Sequence, residues 1–161
     1  EAGLLYVNRR AQERISPSIV SLYGGAVGIS RTLEAMGQRD EPAMIGFGEA
    51  IDFETKIGSA TVERRGRELC QALAEGLRRI DGVRIWTSAE AGRTGAILTF
   101  LPGSLDPRKL TAALYEKHHV SLTARGGEDR PGLRFSPHLY NLLSEVDRTL
   151  AAIKGYIATG V

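Results

Sequence analysis

Gly132-Leu-Arg-Phe-Ser-Pro-His-Leu-Tyr-Asn141, GLRFSPHLYN, sets an arginine inside a short apolar run that breaks at Ser136-Pro137 and then passes through a histidine, a tyrosine and an asparagine. A short apolar run bounded by a turn signal reads as a strand, here Leu133 to Phe135. After the break, Val146, Leu150, Ile153 and Ile157 recur at helical spacing, so a final amphipathic helix follows, with Asn141 or Ser144 as its expected cap. Reading backwards, the pattern gives a strand over Val120 to Ala124, a helix over Pro107 to His118, and strands over Ala96 to Leu101 and Val83 to Thr87. Strands and helices in this order predict an α+β unit, one sheet covered by helices.

Upstream, Val62, Gly66, Leu69, Cys70, Leu73, Leu77 and Ile80 repeat at three and four residues, and Asp81-Gly82 closes the pattern. A helix of about six turns from Ser59 suits a connector between domains. A boundary near residue 58 follows, with a complete small domain over 59–161. Before it, Pro42 to Ile57 is apolar around much of its circumference and is expected to be a buried helix, with Asp40 as N-cap and Gly58 as its stop. GLLYVN at residues 3–8 reads as a buried strand covered on both faces. Residues 1–58 hold too few elements to close a core, and the chain opens on a strand pattern without an initiator Met, so this part is expected to be the remnant of a larger domain.

The balance of 42% apolar and 25% charged residues in 161 is that of a soluble globular chain. Twenty-one basic residues against 19 acidic ones leave a formal charge of +2 with the signs interleaved, which argues against a nucleic-acid partner. One cysteine forbids an intrachain disulfide framework, and no apolar run approaches the roughly 20 residues that span a bilayer. The expectation is a cytoplasmic protein with no membrane partner.

Arg134 is the first candidate for chemistry, because a guanidinium at a strand end can hold a carboxylate through two parallel hydrogen bonds. The competing reading is an exposed edge-strand residue or an ion pair with Glu128, Asp129 or Asp147. Arg125, at the end of the preceding strand, has a weaker claim. His138 follows Ser-Pro, where a histidine usually serves a turn. His118-His119 lack a third ligand at metal spacing, so no metal is expected, and helix C-terminal charge accounts for at least one of them. Cys70 lies on an apolar stripe and reads as inert packing. Arg64, Arg65 and Arg67 with Glu63 and Glu68 read as a solvated mixed-sign face. Gly37-Gln-Arg-Asp40, feeding a helix N-terminus, could receive a phosphate or carboxylate or simply start the helix.

GLLYV, then RTLEAMGQRDEPAMIGFGEAIDF, then LRFSPHLYNLLSEVDRTLAAI resemble, in this order and spacing, the C-terminal portion of the class V aminotransferases. These are pyridoxal-phosphate enzymes that include cysteine desulfurases and isopenicillin N epimerase-like proteins. The resemblance covers nearly the whole chain, and its final motif is the most specific part; residues 59 to 118 match only in pattern. It implies fold type I, with residues 1–58 as the tail of the α/β large domain and 59–161 as the small C-terminal domain. It implies pyridoxal 5'-phosphate as cofactor, an amino-acid substrate and a homodimer. Arg134 takes the place of the arginine that binds the substrate α-carboxylate. The family often has Gly-Thr before the helix at Pro42, the threonine reaching the cofactor phosphate of the neighbouring subunit; Gly37-Gln38 stands there, which puts Gln38 in the phosphate-contact position.

Two departures matter. Gly126-Gly-Glu-Asp-Arg130 lacks the nucleophilic cysteine of the desulfurases, which disfavours sulfur transfer through a persulfide. The Schiff-base lysine of the family precedes the strand matching GLLYV, whereas Lys56, Lys109, Lys117 and Lys154 all lie in helical patterns, so no catalytic residue is expected within these 161 residues and the segment alone should be inactive. Transamination, epimerisation and carbon-sulfur lysis stay open. The rival reading, from another class, is a stand-alone α+β ligand-binding or regulatory module without catalysis, with a pure dimerisation scaffold as a third.

Overall fold

The computed structural model describes residues 3–16, 40–127 and 129–161. The chain divides into two compact units, residues 1–56 and 57–161.

In the first unit, Leu4, Leu5 and Tyr6 are exposed and form no strand, which corrects the expectation of a buried strand over residues 3–8. A strand needs a partner ladder to satisfy its backbone, and none of the described residues supplies one. Asn8 instead caps a short helix α1 (Arg9–Gln12), its Oδ1 accepting from Ala11 N at 3.0 Å. Helix α2 (Glu41–Ile57) starts as expected: Asp40 Oδ1 accepts from Ala43 N at 3.1 Å. Its predicted burial is corrected too, since Met44, Ile45, Ile51 and Phe53 are all exposed and no residue of the helix is buried. Apolar periodicity shows that a helix wants cover; it does not supply the cover.

The second unit closes its own core. Helix α3 (Ser59–Leu77) buries Leu69, Cys70, Leu73 and Leu77, the stripe that the spacing predicted. Four strands follow, β1 (Val83–Ile85), β2 (Leu98–Pro102), β3 (Thr123–Arg125) and β4 (Gly132–Phe135), all antiparallel in the order β1-β2-β4-β3. A 3-10 turn at Ala91–Arg93 lies between β1 and β2. Helix α4 (Pro107–His118) connects β2 to β3, and α5 (Leu143–Thr159) ends the fold. The sequence signals for α4 are complete. Asp106 accepts from Arg108 N and Lys109 N at 2.8 and 2.9 Å, Pro107 opens the first turn, and His119 caps the C-terminus with φ 54°. Those two amide hydrogen bonds, helped by nearby Lys109 and Arg108, hold the Asp106 carboxyl below its usual range.

Side chains alternate between the two faces of a strand, so the sheet register sorts the residues. Leu98, Phe100, Leu133 and Phe135 point one way and pack with α3, α4 and α5, where Phe100, Leu69, Leu110, Leu114 and Ile153 are fully buried. Burying each such side chain stabilises the fold by about 1.5–3 kcal/mol. Thr99, Leu101, Arg134, Thr123 and Arg125 point the other way.

Cys70 belongs to the helix-covered core, and burial pushes its thiol up to about 11. Because the thiolate is the reactive form, alkylation at pH 8 is expected to run at least about 10-fold slower in the folded chain than in guanidinium, the stronger nucleophilicity of a high-pKa thiolate offsetting part of the ionisation difference. Equal rates would show that the helix stripe is open. A raised acid constant also means that the stability from this neutral thiol is complete below pH 9, where the unfolded group ionises, and declines as pH rises towards 11.

Candidate functional site

The sheet face opposite the one that α3, α4 and α5 cover carries Arg125 and Arg134. Arg134 sits on β4, an inner strand, directly opposite Thr99 of β2 and Thr123 of β3. It is exposed, not on an edge strand, and its guanidinium has no ion pair or hydrogen bond with Asp129, Asp147 or any other described residue. Arg125 opposes Gly132 and is therefore a diagonal neighbour of Arg134 on the same face. Diagonal pairs stand about 7–8 Å apart, close enough for two guanidinium groups to repel or to share an anion.

Gly132 makes this arrangement possible. Its φ is 141°, and a Cβ there would lie 2.1 Å from the Phe100 carbonyl oxygen. Only glycine lets β4 approach β2 so closely. Next to it, the Pro131 carbonyl accepts from Trp86 Nε1 at 2.8 Å, so the indole reaches from the end of β1 across β2 to the start of β4. Arg84 lies over the Trp86 ring at 4.1 Å from its centre, a cation–π contact on the indole.

The turn after β4 is built by Asn141. Its Oδ1 accepts from His138 N at 2.8 Å, and its Nδ2 donates to Glu145 Oε2 at 3.0 Å. The same carboxylate oxygen accepts from Leu142 N at 2.9 Å. These bonds, with Arg148 beside it, hold the Glu145 carboxyl below its ordinary range. The helix cap is therefore Leu142, one residue past Asn141, and Asn141 braces the turn from outside the helix. His138 is an exposed turn residue whose ring stacks on Tyr140 at 4.7 Å. Arg65, read from sequence as solvated surface, instead ties α3 to this turn, donating to the Asn141 carbonyl at 2.7 Å and pairing with Glu68 at 2.9 Å. His118 packs edge-on against Tyr156, and His119 is the αL cap of α4.

A cavity of about 430 Å³ opens on the same face as Arg134, lined among others by Trp86, Ser88, Thr99, Arg93, Arg125 and Arg130. Trp86, Arg93 and Arg130 were not singled out from the sequence. A lone tryptophan at a strand end, with arginines in the neighbouring loops, is the signal that could have found them. Gln38 and Glu128 lie outside the described residues.

The arrangement fits a carboxylate and does not fit an aldehyde cofactor's anchor. Lys56, Lys109, Lys117 and Lys154 are all exposed on helices, and none lines a described cavity. Among the described residues, no helix is long and apolar enough to cross a membrane.

Comparison with known proteins agrees with this α+β sheet-and-helix layout. The aminotransferase class-V family pattern matches residues 2–149. The chain belongs to the class V aminotransferases, the fold type I pyridoxal-phosphate enzymes. Isopenicillin N epimerase of Amycolatopsis lactamdurans is 34% identical over 125 residues, covering 77% of this chain and 31% of that protein. The apo cysteine desulfurase of Thermococcus onnurineus NA1 superposes with TM-score 0.79 at 20% identity, over 95% of this chain and 42% of that one. A structure of C-DES, a cystine C-S lyase, with glycine covalently linked to its PLP cofactor superposes with TM-score 0.72 at 18% identity, over 92% and 40% of the two chains. The chain thus spans about a third of the length of the curated relatives it matches.

Proposed function

We propose that these residues are the C-terminal part of a pyridoxal-phosphate enzyme acting on an amino acid, by transamination, epimerisation or carbon-sulfur lysis, and that Arg134 binds the substrate α-carboxylate. The observation that carries this reading is an exposed guanidinium on an inner strand that has no acidic partner among the described residues. An inner-strand position fixes the Arg134 backbone on both sides, and the planar fork matches a carboxylate in two parallel hydrogen bonds. On this reading residues 1–58 are the tail of the large domain and 59–161 the small domain, and the intact enzyme is a homodimer in which Gln38 contacts the cofactor phosphate of the neighbouring subunit. The cofactor, when bound, supplies an electron sink for bonds broken at the substrate α-carbon. Arg134 contributes orientation: it fixes the carboxylate and so the plane of the remaining substituents.

The intact parent protein, supplied with pyridoxal phosphate, is expected to absorb in the visible and to change its spectrum when an amino acid is added. A parent that stays colourless overturns the proposal. It would instead favour the stand-alone module, which draws on the closed core of residues 57–161.

A further inference from the structure

Arg134 alone satisfies the needs of an α-carboxylate, yet the cationic surface extends well beyond it. Thr99, directly opposite Arg134, is also a wall of the cavity that Arg93, Arg125 and Arg130 line. Arg93 makes an exposed contact with Glu90 at 3.5 Å, but Arg125 and Arg130 have no acidic partner among the described residues. Like charges lining one cavity repel, and a bound anion reduces that repulsion. The cavity is too large for one carboxylate oxygen pair and has the Trp86 indole in its lining, so it has room for a short apolar stem ending in a charge.

We infer that this cavity is a second anion subsite, and that the substrate is an amino acid whose side chain ends in a second carboxylate or similar acid. The α-carboxylate goes to Arg134, and the distal acid goes to Arg125, its diagonal neighbour on β3, and to Arg130. Arg84 is engaged on the Trp86 ring and lies outside the cavity lining. The substrate part of this inference rests on the function proposed above; the anion subsite itself does not.

Trp86 is the only tryptophan of the chain and forms part of the cavity wall, so its fluorescence reports occupancy directly. Titration of the chain with glutarate is expected to change the emission and saturate, whereas neutral glutaramide leaves it unchanged. The Arg125→Gln/Arg130→Gln double variant is expected to weaken the glutarate response at least about 10-fold, with its thermal melt retained because both side chains are exposed. A flat titration, or one identical in the double variant, overturns the subsite. In the intact parent, kcat/KM for L-glutamate or L-aspartate is expected to exceed that for the isosteric L-glutamine or L-asparagine by at least about 10-fold, and the double variant is expected to lose that preference. Equal values for acid and amide overturn the substrate assignment. Glutarate binding by a parent that acts on no amino acid at all overturns the function proposed above, and the substrate assignment with it.

Discussion

Arg134→Ala in the intact parent is expected to lower kcat/KM for its amino acid on the order of 100-fold, chiefly through KM, while cofactor content stays the same. The magnitude is that of losing a bidentate, charge-assisted pair, and the direction follows from where the residue stands. The Arg134 guanidinium has no hydrogen bond or ion pair with other described residues, so truncation breaks no side-chain bond and leaves the backbone ladder in place. Arg134→Lys keeps the charge and loses the planar fork, so it is expected to fall between the wild type and alanine. Steady-state kinetics beside the visible absorbance of the bound cofactor separate the two readouts. An unchanged KM in Arg134→Ala means that the carboxylate is held elsewhere.

Gly132→Ala is expected to be among the most destabilising small substitutions in the second unit. The backbone there sits at φ 141°, and the new Cβ would meet the Phe100 carbonyl oxygen at 2.1 Å. Backbone strain of this kind costs of order 1–3 kcal/mol, and the collision with backbone, which cannot swing aside like a side chain, adds to it. A loss on the order of 3 kcal/mol corresponds to a drop in Tm of roughly 14 °C for a unit of this size. Gly126→Ala is the control, because its Cβ would meet nothing within 4 Å. It is expected to stay within about 0.5 kcal/mol. Equal melts for the two variants would mean that β4 does not press on β2 as described.

Helix α4 was legible to the residue, because Asp106, Pro107 and the end at His118-His119 are local signals that act within one turn. The strands were found but drifted by up to three residues at their ends: Val120 to Ala124 became Thr123–Arg125, and Ala96 to Leu101 became Leu98–Pro102. Strand ends depend on where a partner's ladder stops, and that partner lies far along the chain. The segment at residues 3–8 and helix α2 failed for the same kind of reason. Their apolar residues were read correctly as wanting cover, while the presence of cover depends on distant residues. For the site, Arg134 stood out because a charge inside an apolar strand is locally anomalous. Trp86 and Arg130 did not, since the order β1-β2-β4-β3 brings them together and the indole bonds a carbonyl 45 residues away.

Alternation along β2 and β4 puts neighbouring residues under unrelated demands. Leu133 answers to the core and Arg134 to whatever approaches from outside, although a single peptide bond joins them. Recognition can therefore be rewritten at odd or even steps of a strand while folding is left alone, and a lineage could change its preferred acid through Arg125, Arg130 or Thr99 without passing through an ancestor that fails to fold.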